Sequence, residues 1–296
     1  MAHYCTKAAS QKMLFKGKLP VVSKFRLNAI NYSNDPTEGK TLLDYLFDKK
    51  YLAKEEVNVR YRAFAGCFTF NYNSLNQFRL YGKENDKEGT GLSLVFGDSF
   101  FSKVPRLPLT KTIMLSDQLK AAMAEEQEKH TLFRCIYIDP ESDRVETVGQ
   151  KDTYLFYREN QKNGQKYTEA EVRKYHEQIE CVVSDVRKMM AELKKLAQAL
   201  IPEIVEQLLV NLRYLTKHIA FKEEQECRII KIHSLVDTKI QVSEDFKQMY
   251  VEYQEIPRHI KRIYFAPKAT EMELFQDVLK HEGLGISCEK SNHPWA

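Results

Sequence analysis

The chain has 296 residues, of which 43% are hydrophobic and 29% charged, an ordinary balance for a folded globular protein. Its 45 basic and 41 acidic residues give a net charge of +4, too small a surplus to indicate nucleic acid as the main partner. The N-terminus lacks the apolar stretch of a signal peptide, and no run of 18 apolar residues follows, so we expect a cytoplasmic protein with no membrane partner. The six cysteines are scattered without Cys-x-x-Cys spacing and the eight histidines are dispersed, which indicates a reducing compartment and no metal site.

The N-terminal part of the chain predicts strands separated by turns and one short helix. A turn-forming segment at residues 31–39 contains Pro36, which disfavours helical backbone at Asp35. The elements predicted in this part are strands at residues 19–28, 57–71 and 91–96 and a helix at residues 40–47.

The rest of the chain predicts a hairpin, two long helical stripes and further strands. Apolar residues recur every three or four positions from Val172 to Leu200, so we expect a helix of about thirty residues that begins near Thr168, with Glu171 completing a capping box. The other predicted elements are strands at 133–138, 145–148, 154–157, 249–253, 260–267 and 283–288 and helices at 204–219 and 270–282. Because strands are grouped rather than alternating with helices, the predicted class is α+β, with mixed, largely antiparallel sheets.

We predict a single domain over residues 1–296. No composition shift divides the chain, and its length permits one large core. Residues 166–220 are then a helical-hairpin insertion within that domain. The two helices are expected to act as scaffold, and the alternative is that they offer a coiled-coil surface to a partner.

Two carboxylates, Glu224 and Glu226, open an Ile-rich run that predicts a strand. Residues two apart on a strand point to the same face, so we expect both side chains to project together, with Arg228 next in line. The Glu-x-Glu spacing recurs at 126/128, 169/171 and 271/273, but in helical segments, where residues two apart do not face each other. One carboxylate of such a pair can stabilise developing positive charge while the other orients a nucleophile. The alternative is a solvated strand face with alternating charges.

Further candidate residues lie upstream. Arg26 stands on an early strand beside a turn, a placement that suits bidentate binding of phosphate, although a surface role is the alternative. Asn34 and Asp35 present short polar groups at a corner and either shape the mouth of a pocket or simply form a turn. Thr69 follows Cys67 on the same face of a predicted strand and is either structural or part of a site. Neither a P-loop nor a dinucleotide-binding Gly-x-Gly-x-x-Gly opens a helix anywhere in the chain.

Four blocks, taken in order, resemble the bacterial domain of unknown function family 2971. They are Lys24–Arg26 with Ser33–Gly39, Gly66–Phe70 with Phe78–Lys83 and Gly89–Gly91, Glu224–Arg228, and Ile260–Pro267. This chain departs from the family pattern at Cys67 and Thr69, where Ser is usual, and at Phe78, where Trp is usual. The aromatic that normally precedes the Glu-x-Glu block is matched by Phe221 at slightly different spacing.

The order of an Arg, a hydroxyl-bearing strand and a Glu-x-Glu strand is similar to that of ADP-ribosyltransferases. This resemblance implies a split sheet, NAD as the substrate, Arg26 on the NAD phosphates and Thr69 bracing the site. Glu226 would hold the nicotinamide ribose as an oxocarbenium-like centre forms, and Glu224 would assist the acceptor.

The same resemblance adds Asn34, Asp35, Arg79 and Tyr81 to the residues expected to contact NAD. The resemblance implies a macromolecular acceptor of ADP-ribose, for which a protein is one candidate, and delivery of the enzyme into another cell, as an effector or toxin, is compatible with the chemistry.

Two other functions remain open at this point. One is a non-catalytic module whose aromatic cleft recognises a protein or a small ligand. The other is a metal-independent nuclease toxin that uses the same acidic and basic residues. The oligomeric state is not legible from the sequence.

Overall fold

The computed structural model describes residues 1–15, 24–30, 35, 37–47, 61–84, 86–102, 130–147, 168–200, 204–205 and 208–293. In chain order the elements are β1 (Ala2–Cys5), α1 (Lys7–Leu14), β2 (Lys24–Ala29), α2 (Thr41–Phe47), β3 (Tyr61–Thr69), α3 (Leu75–Tyr81), β4 (Leu92–Phe96), β5 (Phe133–Arg134), β6 (Ile136–Asp139), β7 (Arg144–Thr147), α4 (Glu169–Gln198), α5 (Val210–Arg213), β8 (Thr216–His218), β9 (Glu226–Ser234), β10 (Gln241–Val242), β11 (Met249–Glu255), β12 (Ile260–Phe265), α6 (Met272–His281) and β13 (Ser287–Lys290). Short 3-10 turns lie at Asp98–Phe100, Ile219–Glu224 and Pro257–His259.

The predicted α+β class is confirmed, and so is the mixed, largely antiparallel character of the sheets. Parallel pairing occurs between β12 and β13 and between β6 and β8, whereas the other strand pairs with described registers are antiparallel. The predicted strand at residues 154–157 lies outside the described residues.

The chain divides into two compact units. The first contains residues 1–32, 59–133 and 226–296, and the second contains residues 33–58 and 134–225. One boundary falls within β5 and another falls between Gln225 and Glu226. The prediction of a single domain with an insertion at residues 166–220 stays a prediction.

The first unit is built on one large sheet. Its order is β10-β11-β2-β3-β1-β4-β12-β13, and β9 pairs with β3 along its whole length. Strands β2 and β1 both pair with β3, at Ala65 and Thr69 respectively, while β9 runs beside all of β3. The sheet therefore branches at β3, where Thr69 pairs with Ala2 of β1 and with Glu226 of β9.

An aromatic cluster fills one face of this sheet. Phe25, Phe68, Phe96 and Phe100 are each at most 2% exposed, and their ring centroids lie 4.4 to 6.1 Å apart. Such rings bury large apolar areas and pack edge to face or offset, so they hold the strands rigidly. Strand β1 and helices α1 and α3 were not anticipated from the sequence.

The second unit joins a long helix to a small sheet. Helix α4 begins at the predicted capping box, in which the Thr168 hydroxyl accepts from the Glu171 amide and the Glu171 carboxylate accepts from the Thr168 amide. Its buried stripe, which includes Met190 and Ala197, packs on α2 and on the β7-β6-β8 sheet around Ile138. The predicted thirty-residue helix is thus confirmed.

The second predicted helix is shorter than expected. The apolar stripe predicted helix over 204–219, but Thr216–His218 forms β8, which lies parallel to β6. None of the stripe residues lies within Thr216–His218, which Leu215 and Ile219 flank, so pairing with β6 rather than the local pattern makes this segment a strand. No helix among the described residues combines the length and the apolar content needed to cross a bilayer.

Candidate functional site

Glu224 and Glu226 do not share a strand. Glu224 ends the 3-10 turn Ile219–Glu224, and β9 begins at Glu226. Gln225 between them has a left-handed backbone with φ 47° and ψ 47°, which breaks the strand alternation on which the predicted pair depended. The expectation that both carboxylates project from one strand face is therefore wrong.

Strand register instead places Glu226 on the same sheet face as two other predicted residues, Arg26 and Thr69. Thr69 on β3 is directly opposite Glu226 on β9, and Ala65 on β3 is opposite Asn28 on β2. Because paired residues and residues two apart share a face, Arg26, Thr69 and Glu226 lie on the same face of one sheet. From ordinary strand spacings, Arg26 and Glu226 are about 10 Å apart across the sheet and about 7 Å apart along it.

The carboxylate of Glu226 is held by Arg228. The Arg228 Nε donates to Glu226 Oε1 at 2.7 Å, and Nη2 donates to Oε2 at 3.0 Å. These two parallel bonds form the bidentate fork that a planar guanidinium makes with a carboxylate. The two side chains are 2% and 7% exposed, so the ion pair is almost fully withdrawn from water. We call Arg26, Thr69, Glu226 and Arg228 the Glu226 site.

The hydroxyl of Thr69 has a structural contact. Its oxygen accepts the amide of Asn71 at 3.1 Å and thereby fixes the turn after β3. Thr69 is 4% exposed, whereas Cys67, two residues earlier and opposite Arg228, is exposed. The Glu226 site therefore lies where the buried part of this face meets the exposed part.

Arg26 is exposed, in contrast to Glu226 and Arg228. Its guanidinium carbon lies 4.1 Å from the centroid of the Tyr250 ring, a distance typical of stacking by a cation on an aromatic face. The neighbour across the strand pair is Glu252, which is also exposed and lies 4.0 Å from Lys24. Because Arg26 is exposed, its guanidinium is accessible to an anion from solvent.

Glu224 belongs to a different cluster, in the second unit. Lys217 on β8 donates to Glu224 Oε2 at 2.5 Å and lies 3.5 Å from Glu38 Oε1. The three side chains are 4%, 11% and 5% exposed, and the Phe221 ring lies 5.1 Å from the Lys217 ammonium. We call Lys217, Glu38 and Glu224 the Lys217 cluster.

Of the other residues predicted to contact NAD, Arg79 and Tyr81 lie on α3 and Asp35 lies in the second unit. Arg79 donates to Glu88 at 3.1 Å, and this bond, with help from Lys83, lowers the pKa of Glu88. Tyr81 is 42% exposed at the end of α3. Asp35 accepts from the amide and the hydroxyl of Thr37 in the second unit. Asn34 lies outside the described residues.

Arg79 stands beside an open cleft of the first unit. The cleft has a volume of about 670 Å³ and is lined by Lys7, Glu84, Lys87, Glu88, Thr90, Lys268 and Thr270. Its charges are mixed and several of them are already paired, as Lys7 is with Glu271 at 2.6 Å and Glu88 is with Arg79.

Lys217 and Glu38 were not predicted as site residues, and the sequence carries little signal for either. Lys217 falls in a stripe that predicted helix, and Glu38 falls in a turn. Arg228 was noticed only as the next residue in line. Its position two residues after Glu226 on a strand is the signal that predicts the fork.

The chain belongs to the family described as Protein of unknown function (DUF2971), whose profile matches residues 77–229. The matched region includes Glu226 and Arg228 and ends just beyond them. No curated protein and no solved structure matches the chain. The family resemblance is thus confirmed, and it carries no activity with it.

Proposed function

We propose that this protein is an NAD-dependent ADP-ribosyltransferase-like enzyme that cleaves the nicotinamide glycosidic bond and transfers ADP-ribose to a macromolecular acceptor. One observation carries the proposal: strand register brings Arg26, Thr69 and Glu226, which are distant in sequence, to the same face of one sheet. They have the residue types and the order of the arrangement that ADP-ribosyltransferases use.

The different roles proposed for Arg26 and Glu226 follow from how far each side chain is buried. Arg26 is exposed and stacked on Tyr250, so it is available to hold the NAD phosphates. Glu226 is buried and fixed, so it is suited to stabilise the positive charge that develops on the ribose as nicotinamide leaves. A fixed charge in a site with little water stabilises the transition state more than the ground state.

The fork from Arg228 is compatible with this role. A carboxylate can accept about four hydrogen bonds, so bonding to Arg228 is compatible with accepting one from a ribose hydroxyl. In the reaction, the bond between the ribose C1′ and the nicotinamide nitrogen breaks, and a nucleophile of the acceptor bonds to C1′ and loses its proton. Glu226 is the only carboxylate that the proposal uses, because Glu224 contacts Lys217 instead.

The first test measures NAD binding. We expect Arg26→Ala to weaken NAD binding by about 10- to 100-fold, the usual cost of losing a charged hydrogen bond to phosphate, with little effect on folding because Arg26 is exposed. Lys24→Ala is the matched control, since it removes an exposed positive charge from the same face of β2. Binding is measured by calorimetric titration, and equal losses in the two variants would contradict the role of Arg26.

The second test measures chemistry. Wild type should release nicotinamide from NAD, and Glu226→Gln should reduce the turnover number by about 10²- to 10³-fold. Circular dichroism at the assay temperature checks that the variant is folded. If correctly folded wild type neither binds NAD nor releases nicotinamide, the proposed function is wrong.

One observation favours a second candidate, a non-catalytic module that recognises a protein or a small ligand. Both oxygens of Glu226 accept from Arg228, as expected of a carboxylate with a structural role. This candidate predicts that Arg26→Ala weakens binding of a partner while no variant changes any NAD chemistry.

A further inference from the structure

The pairing of Glu226 with Arg228 is unusual for its place in the strand. Both residues lie on the face of β9 that also carries Ile230, which is 2% exposed. Arg228 is among the largest fully buried side chains of the described residues. A buried ion pair loses its hydration, and a well-packed apolar pair of similar volume is often at least as stable. Stability alone therefore does not account for two charges at these positions.

The geometry of the pair is more specific than its charge requires. A lysine would supply the same charge as a point, whereas the guanidinium binds both oxygens at once. The fork fixes the plane of the carboxylate as well as its distance, with bonds of 2.7 and 3.0 Å. The nearby positive charge also favours the ionised form of a buried carboxylate.

We propose that Arg228 is a positioning residue, which holds the carboxylate of Glu226 ionised and in one orientation beneath the reacting ribose. This inference rests on the proposed function and adds a residue to it. Arg228 does not contact NAD in this proposal. It acts through Glu226, at whose carboxylate its Nε and Nη2 are directed.

The main experiment uses Arg228→Lys, which keeps the charge and removes the fork. We expect the turnover number for nicotinamide release to fall by about 10²-fold, the usual effect of a misplaced catalytic group, while KM for NAD stays within about twofold of wild type. Arg258→Lys is the matched control, because Arg258 pairs with Glu255 on the surface at 2.8 Å and should change neither constant. A larger effect on KM than on turnover would overturn the proposal.

A second comparison tests whether Arg228 acts through Glu226. In the Glu226→Gln background, Arg228→Lys should cause no further loss of turnover, because the group that it orients is already gone. If the two losses multiply, Arg228 contributes independently and the proposal is wrong.

Arg228→Gln removes the charge as well as the fork, so we expect the pH below which its activity fails to be higher than in Arg228→Lys. Identical pH profiles would contradict the proposed electrostatic part.

Two further measurements keep the proposal testable if a variant does not fold or if wild type has no activity. Glu226→Asp keeps both charges and shortens the carboxylate out of reach of the fork, so it should reproduce the fall in turnover with KM unchanged. Wild-type turnover in this variant would overturn the proposal.

A crystal structure of Arg228→Lys needs no activity at all. The Glu226 carboxylate should rotate in it, and a carboxylate left in its wild-type orientation would overturn the positioning role without touching the proposed function.

Discussion

Two glutamates that are only two residues apart are stabilised in opposite ways. Glu226 forms a bidentate pair with Arg228 on a strand of the first unit. Glu224 shares Lys217 with Glu38 in the second unit. Glu226 thus binds a guanidinium through both of its oxygens, whereas in the second unit one ammonium faces two carboxylates. Two buried carboxylates that are close together in the sequence can therefore have partners of different kinds in the structure.

The difference follows from the donors. A guanidinium orients a carboxylate by two parallel bonds, and an ammonium attracts carboxylates without fixing their planes. We therefore expect the Glu226 site to be sensitive to geometry and the Lys217 cluster to be sensitive to the charge of its lysine.

The largest effect should come from Lys217→Met. It leaves Glu38 and Glu224 buried without their shared cation, which we expect to cost about 4 kcal/mol of unfolding free energy. The variant should regain stability as the pH falls, because protonation removes the charge of either carboxylate. Urea unfolding at several pH values measures both effects, with Lys188→Met, at an exposed position, as the control. A loss equal to that of the control would show that the Lys217 cluster is not held by its lysine.

The next largest effect should come from Glu226→Gln. It removes the negative charge from the fork and leaves the Arg228 guanidinium buried without it, which should cost about 3 kcal/mol. Arg228→Met added to this variant should recover part of the loss, since no buried charge then remains in the pair. A double-mutant cycle in urea measures the coupling energy between Glu226 and Arg228, and strictly additive losses would show that the two side chains do not stabilise each other.

Lys231 is a partly buried cation that makes no ion pair with a carboxylate among the described residues, and so it sharpens the comparison. Burial, with repulsion from Lys239, lowers its pKa from 10.5 to about 8. The unfolded chain then binds more protons than the folded chain between pH 8 and 10.5, so the unfolding free energy should rise across that window. Since the side chain is only partly buried, we expect a rise of about 2 kcal/mol. Lys231→Met should flatten this rise in urea unfolding measured from pH 7 to 10.5, and an unchanged slope would exclude Lys231 as its source.

The smallest effect should come from Glu224→Gln. Lys217 keeps Glu38 at 3.5 Å as a counter-charge, so the loss should be about 1 kcal/mol, as for an ordinary hydrogen bond. The same substitution two residues later should cost about three times as much. Thermal and urea unfolding of the two variants, compared side by side, test the difference, and equal losses would remove the contrast between the two regions.

Much of the secondary structure was legible from local patterns. The capping box at Thr168 and Glu171 and the 3.6-residue stripe specified α4, and the hairpin of β6 and β7 followed from apolar runs around a turn. Segments with weak local signals were missed. Strand β1 is four residues long, and β8 is a three-residue strand, Thr216–His218, inside a stretch whose apolar spacing predicts helix.

The candidate site was predictable only in part. Arg26, Thr69 and Glu226 were identified from residue type, strand placement and a family resemblance, and strand register places them on one face of a sheet. Arg79 and Tyr81 were placed at the same site, but Arg79 is paired with Glu88 beside the lysine-containing cleft. A sequence block shows that residues occur in order, and it does not show which face of which element they occupy.

By itself, the sequence determined the α+β class, the long helix and the strand that carries Glu226, because each depends on periodicity within one segment. Only the tertiary structure decided which charges are partners. A left-handed backbone at Gln225 takes Glu224 out of the strand that begins at Glu226. The register of β2, β3 and β9 places Arg26 and Thr69 on the same sheet face as Glu226. Register and a single backbone torsion depend on contacts between distant segments, which no local pattern contains.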